Sequence, residues 1–397
     1  MSSLADTPRA NRLHIGIFGK RNSGKSSLIN ALTQQEIALV SDVAGTTTDP
    51  VYKSMEIHGI GPVVFIDTAG FDDVGELGKM RVEQTKKAVD KTDIALVVFS
   101  DEDITEELKW IKLFARKKTP VIAIVNKVDI LENIEQICFS IESNSKLKPI
   151  LVSAAKQSGI DKIREAIMRS LPEDYEVKSI VGHLVHDGDT VLLVMPQDIQ
   201  APKGRLILPQ VQTIRDLLDN RCIVISVTLD KLEDALNRMV TPPNLIITDS
   251  QVFKAVYDKK PEKSKLTSFS VLFANYKGDL DFFVKSAAAI DLLTEESHVL
   301  IAEACTHAPL SEDIGREKIP RFLRKKVGQN LKITMVSGAN FPKDLSPFDL
   351  IIQCGACMFN RKYVLSRVEQ ARKENVPMSN YGVVLAYLSG ILDKIDL

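Results

Sequence analysis

The chain has 397 residues, of which 44% are hydrophobic and 26% charged, and 51 Lys+Arg against 52 Asp+Glu give a formal net charge of −1. That length suits two or three globular domains, and the charge balance gives no support to non-specific nucleic-acid binding. No apolar run approaches the ~18 residues of a membrane span, so a cytoplasmic protein with neither membrane nor nucleic-acid partners is expected. Met1–Arg12 is polar, lacks the apolar core of a signal peptide, and reads as a flexible arm (residues 1–12).

The first elements carry the strongest signal. Leu13–Phe18 is an apolar strand, Gly19–Ser26 reads GKRNSGKS, and Ser26–Leu32 has helix character. A strand, a GxxxxGKS loop and a helix form a phosphate-binding P-loop. Gly19, Asn22, Ser23, Gly24 and Ser27 belong to the loop whose N–H groups and helix dipole face the phosphates. Lys25 is placed to reach the β- and γ-phosphates, and the Ser26 hydroxyl to ligate Mg2+. Gly45–Asp49 (GTTTD) precedes a strand near Lys53–Ile57, where a threonine can ligate Mg2+ and sense the γ-phosphate. After the strand at Val63–Phe65, Asp67 faces Mg2+ through water and Gly70 offers its N–H to the γ-phosphate.

The next two stations identify the base. Asn126-Lys127-Val128-Asp129 follows the strand Val121–Val125, and Asp129 can accept from two guanine donors at once. Ser153 and Ala154 begin SAAK after the strand Pro149–Val152, where backbone N–H groups can meet the guanine carbonyl. A helix over Gly159–Leu171 closes the domain. GTP and Mg2+ are therefore the expected ligands. Phe71 stands after Gly70, and a phenyl ring cannot orient water, so hydrolysis needs another device. On these motifs residues 11–172 resemble the translation-factor-related GTPases, in particular the tRNA-modifying MnmE type with its GTTRD pattern. The resemblance assigns Mg2+ and γ-phosphate sensing to Thr47, while Thr48 stands where that pattern has Arg. It further implies K+-stimulated hydrolysis, slow without that ion, with K+ held by Asn22 and the reaction served by Lys25, Thr47 and Gly70. The other reading of Asn22 is a loop-stabilising residue. Glu76 reads either as a water-orienting carboxylate or as a solvated glutamate.

Pro172-Glu173-Asp174 ends the GTPase domain (residues 13–172). A strand at Thr190–Met195, a helix over Pro209–Asn220, a strand at Cys222–Thr228 and a helix over Leu229–Val240 follow. A strand at Leu245–Thr248 and a helix over Gln251–Tyr257 complete a small α/β domain (173–262). Its size suggests that it pairs with a second copy, as a dimerisation domain. The charged stretch Asp258–Lys265, with Pro261, marks the next boundary.

The last segment (263–397) alternates again. Strands are expected at Ser268–Phe273, His298–Ala304, Lys332–Val336 and Leu350–Gln353, with helices over Gly278–Leu293, Glu312–Val327 and Asn360–Lys373. That is the pattern of a mainly parallel sheet. Trp110, Phe282, Phe283 and Tyr381–Leu392 read as core or packing residues. Three of the five cysteines lie just beyond strands: Cys305 in a CxH with His307, and Cys354 and Cys357 in a CxxC. Ligands of open α/β sheets bind at the carboxyl ends of strands. The residue chemistry alone leaves zinc, an iron–sulfur cluster and a redox CxxC open. Cys138 and Cys222, each alone, read as core.

A GTPase of this type followed by CxH…CxxC resembles, along the whole chain, the FeFe-hydrogenase maturation GTPases of the HydF family. The resemblance implies a 4Fe-4S cluster on Cys305, Cys354 and Cys357. Position 353 is Gln where that family has a second His, which leaves the fourth position to His307, Glu303, Asp313, water or an incoming ligand. The implied function is a homodimeric, GTP-hydrolysing scaffold. It would receive a di-iron precursor from radical-SAM maturases and deliver it to apo FeFe-hydrogenase. An RNA-modification or ribosome-assembly GTPase with a structural zinc, or a GTP-regulated CxxC redox protein, are the other readings.

Overall fold

The computed structural model describes residues 11–33, 51–57, 61–68, 70, 85–171, 179–195, 206–304, 314–338, 340–356 and 358–397. The chain divides into two units, residues 1–176 and 177–397.

The first unit is built on a six-stranded sheet. Its strands are β1 (Leu13–Gly19), β2 (Val51–Ile57), β3 (Gly61–Asp67), β4 (Ile94–Phe99), β5 (Val121–Val125) and β6 (Ile150–Leu151), in the order β2-β3-β1-β4-β5-β6. Only β2 runs antiparallel to its neighbour. LHIGIFG and IALVVF are buried throughout, because helices cover both faces and no polar alternation is needed. On one face α1 (Lys25–Thr33) and α4 (Ile160–Arg169) supply Leu28, Ile29, Leu32, Ile163 and Ile167. On the other, α2 (Thr105–Arg116) and α3 (Ile134–Ser145) supply Trp110, Phe114, Ile137 and Ile141. Phe18 packs there against Trp110 and Phe114 at ring-centroid distances of 5.7 and 4.8 Å. Trp110 is thus a core residue, as its setting in the sequence suggests.

The second unit holds two four-stranded parallel sheets. The first joins β7 (Thr190–Val194), β8 (Ile223–Val227), β9 (Leu245–Thr248) and β10 (Lys265–Ser268) in the order β10-β9-β7-β8. The second joins β11 (His298–Glu303), β12 (Lys332–Ser337), β13 (Leu350–Gln353) and β14 (Met378–Asn380) in the order β12-β11-β13-β14. One apolar cluster takes residues from both, including Ile246 and Leu266 from one sheet and Leu300 and Ile351 from the other.

Two differences from the sequence reading lie here. The strand expected over Ser268–Phe273 is instead the last residue of β10 followed by a helix, Phe269–Lys277. Six of its nine residues are buried, so no period separates helix from strand. Ser268 decides the matter by accepting from Val271 N at 3.3 Å as an N-cap. Strand β10, downstream of the 262/263 boundary, pairs with β9 and so belongs to the preceding sheet. The second difference is β14, three residues without an apolar pattern, which pairs with β13 and holds Ser379 Oγ on Phe283 O at 2.8 Å. Among the described residues no helix is long and apolar enough to cross a membrane.

Candidate functional site

The nucleotide site grows out of the carboxyl end of β1. The chain turns through Asn22 (φ 60°) and Gly24 (φ 87°) before entering α1 at Lys25. A Cβ at Gly24 would lie 2.3 Å from Asn126 Nδ2, so the loop needs glycine for both its dihedral and its close approach. Asn126, 1% exposed, is the bridge of the site. Its Nδ2 donates to Ser23 O at 2.9 Å and its Oδ1 accepts from Ala154 N at 3.1 Å. One amide therefore locks the glycine-rich loop to the loop expected to meet the base. Sequence reasoning placed Asn126 in the site but did not supply this role.

Lys25 donates to Gly19 O at 3.0 Å and Lys20 O at 2.7 Å, which holds its ammonium over the loop. Ser26 Oγ donates to Asp67 Oδ2 at 3.0 Å, so the two expected Mg2+ partners already meet. Burial pushes the Asp67 carboxyl up, while Ser26, Lys25 and Lys53 pull the other way. Thr68 Oγ1 donates to Ile17 O at 2.6 Å and ties the end of β3 to β1. Gly70 is half-buried beyond it. Asn22 is exposed at its φ 60° turn. At the base end, the Ser153 hydroxyl beside Asp129 holds that carboxyl below the usual range and hence ionised. Thr47, Thr48, Phe71 and Glu76 lie outside the described residues.

Lys20 adds an anchor that sequence reasoning missed. Its ammonium pairs with Asp101 Oδ1 at 2.9 Å and Asp103 Oδ2 at 3.5 Å. Behind them Glu107 on α2 is 2% exposed, and its Oε2 has no partner among the described residues. Burial pushes its carboxyl from 4.5 up to about 7, against the pull of its own backbone N–H and Lys20. The folded state holds this proton more tightly than the unfolded chain. Stability from this group is therefore full below pH 4.5 and lost as pH rises to about 7, a span of at most about 3 kcal/mol. Glu107→Gln should raise the melting temperature at pH 8 and leave it unchanged at pH 4.5 in parallel thermal melts. Equal melting of both proteins at pH 8 would contradict this.

The second site lies where β11, β12, β13 and β14 all end on one side of their sheet. Cys354 follows β13 and is half-buried. Its Sγ accepts from Ala304 N at 3.0 Å and Ala356 N at 3.4 Å. Ala356 takes φ 50°, a left-handed turn two residues after the sulfur. Two backbone donors aimed at one sulfur suit a thiolate, the form that ligates metal. Asn380 Nδ2 donates to Cys354 O at 3.4 Å, and Lys277 Nζ to Phe359 O at 2.8 Å and Ala356 O at 3.4 Å. Gln353 is buried, and its Oε1 accepts from Arg367 Nη1 at 3.4 Å. Glu303 is committed as well. Its Oε2 accepts from Arg316 Nε and Nη2 at 3.2 and 3.1 Å, and its Oε1 from Tyr381 OH at 3.5 Å. Cys305, His307, Asp313 and Cys357 lie outside the described residues, and no group of three or more His, Cys, Asp or Glu converges among those described. Cys222 is buried and Cys138 half-buried, and burial pushes both thiols up, the inert setting expected for them.

The glycine-turned phosphate loop, the Asn126 bridge and the sheet order β2-β3-β1-β4-β5-β6 define a P-loop GTPase domain, joined here to two parallel α/β sheets. Residues 14–127 match the model of the 50S ribosome-binding GTPases. Residues 180–278 match the hydrogen maturase F dimerization domain and residues 281–395 the hydrogen maturase F tetramerization domain. These last two together take in more than half of the chain, which belongs to the hydrogen maturase F family as a HydF-type GTPase. The first domain is 38% identical over 174 residues to GTPase Der of Wolinella succinogenes (40% of this chain, 35% of that protein). It is 35% identical over 164 residues to the tRNA modification GTPase MnmE of Aquifex aeolicus (41% and 35%). The chain thus spans about a third of the length of these curated relatives. A solved structure of Aquifex aeolicus Era with GDP and aluminium fluoride overlaps 54% of this chain and 92% of its own, at 19% identity and a TM-score of 0.36.

Proposed function

We propose that this chain is a GTP-hydrolysing scaffold of FeFe-hydrogenase maturation that carries a 4Fe-4S cluster on Cys305, Cys354 and Cys357. The observation that carries the reading is the Cys354 sulfur, cradled by two N–H groups at the end of a parallel sheet within the hydrogen maturase F region. Hydrogen bonds to sulfur and a thiolate donor suit an iron–sulfur site. With Gln353 held by Arg367 and Glu303 by Arg316 and Tyr381, His307, Asp313 or an exchangeable ligand is the better candidate for the fourth position. When bound, the cluster supplies an iron with a replaceable ligand, to which a di-iron precursor can attach and from which it can leave. That precursor is the cargo, received from radical-SAM maturases and passed to apo FeFe-hydrogenase by a homodimer or higher oligomer of this cytoplasmic chain.

In the first unit Lys25 neutralises charge on the β- and γ-phosphates, and Ser26 and Thr47 hold Mg2+. Asp67 would face that ion through water, Gly70 would offer its N–H to the γ-phosphate, and Asp129 would read guanine. Asn22 would hold K+, which would supply the positive charge that a phenylalanine at position 71 cannot. After hydrolysis the contacts of Thr47 and Gly70 are released, and the loops change affinity for a partner. The chain immobilised with GTP or with GDP should therefore release a maturase or the apo-hydrogenase at different rates. Identical dissociation rates in the two states would remove the coupling.

A further inference from the structure

Arg367 is the least expected charge in the second unit. It lies on the helix Arg361–Lys373 and is 2% exposed. Its Cζ sits 4.6 Å from the ring centroids of Phe341 and Phe359 and 4.7 Å from that of Tyr363. Nη2 donates to Gly338 O at 2.7 Å and Tyr363 OH at 3.3 Å, and Nη1 to Gln353 Oε1 at 3.4 Å. Nε has no partner, and no carboxylate pairs with this guanidinium among the described residues. Three aromatic faces offset part of the desolvation cost of a buried cation, but they carry no net charge.

The surroundings point to where the missing negative charge belongs. Phe359, one wall of the cage, packs with Cys354 in the small cluster of Ala304, Ala356 and Val364. Gln353, which accepts from Arg367, is the residue immediately before Cys354. Lys277, 1% exposed, brings a second buried ammonium to the carbonyls of the same loop. The buried carboxylate nearby, Glu303, is already matched by Arg316. A neutral thiol at Cys354 would leave the Arg367 guanidinium without a counter-charge among the described residues, whereas an anion held there would supply one.

We propose that Arg367 is the fixed counter-charge of an anionic, thiolate-held metal group at the end of β13, a positioning residue that sets the group's reduction potential and retention. The proposal rests on the iron–sulfur reading above. A [4Fe–4S]2+ core on three thiolates carries one net negative charge, and one-electron reduction adds another. Net charge and hydrogen bonding are what set such potentials. A nearby guanidinium therefore favours the reduced form.

The test uses the full chain, reconstituted anaerobically with iron and sulfide, as parent, Arg367→Lys and Arg367→Met. Iron is counted per chain and the potential is followed by EPR-monitored redox titration. Arg367→Lys should keep the iron and change the reduction equilibrium less than threefold. Arg367→Met should lose iron faster and shift the equilibrium at least tenfold toward the oxidised form, which is about 59 mV for one electron. Without iron, Arg367→Met should melt no lower than the parent, because an apolar side chain of similar length fills the cage without an uncompensated charge. An iron-free Arg367→Met that fails to fold or melts lower makes Arg367 a structural residue and overturns the proposal. So does an Arg367→Met protein with parental iron content and potential, and in that case the iron–sulfur reading survives. A parent that takes up no iron sinks both.

Discussion

Asp129→Asn should lower GDP affinity by at least about a hundredfold and raise affinity for xanthosine diphosphate in the same protein. An ionised carboxylate only accepts, and guanine presents two donors to it, N1–H and the exocyclic amine. An aspartate is ionised at neutral pH, and Ser153 beside Asp129 pulls the carboxyl further below its usual range, so the wild-type group only accepts. An amide offers one acceptor and one donor. It leaves guanine mismatched at one atom and matches xanthine, which has N1–H beside a carbonyl. The loop itself should survive, because Asn126 rather than Asp129 ties it to Ser23 and Ala154. Calorimetric titration with both diphosphates checks this. A variant that still prefers GDP would mean that Asp129 does not read the base.

Lys25→Ala should reduce GTP hydrolysis by about 10²- to 10³-fold, the scale set by removing one preorganised donor from a developing charge. Lys25 is 8% exposed and its ammonium is held by Gly19 O and Lys20 O. Its charge is therefore positioned before the nucleotide arrives, and little reorganisation is needed during the reaction. Phosphate release under single-turnover conditions in K+ measures the effect. A rate within tenfold of the parent would shift the burden of catalysis elsewhere in the loop.

What could be read in the sequence follows from how local the signal is. GKRNSGKS, NKVD and SAAK are contiguous, each sits at a strand end, and parallel strands read as unbroken apolar runs. Gly19, Asp67 and Asn126 lie at the strand ends where those runs place them. Contacts between distant segments were not legible. The bridging role of Asn126 depends on Ser23 and Ala154, and the burial of Glu107 depends on how α2 packs. Phe269–Lys277 misleads because a helix buried on most sides has no polar face to reveal its period. Strand β14 is too short to announce itself, and pairing with β13 alone makes it a strand. In the cysteine region the CxxC was visible, while the cage around Arg367 was not. Phe341, Phe359, Tyr363 and Arg367 meet only in the fold, although Tyr363 and Arg367 share a helix face at i,i+4 spacing.

The role proposed for Cys354, a thiolate ligand of an iron–sulfur cluster in a GTP-hydrolysing scaffold, is open to direct test. Anaerobic reconstitution with iron and sulfide, followed by EPR of the reduced full chain beside a Cys354→Ala variant, tests it most directly. The parent should give a reduced four-iron signal that is lost in the variant and that shifts when imidazole is added to the parent. A parent that refuses iron and instead holds one zinc, or no metal, would contradict it.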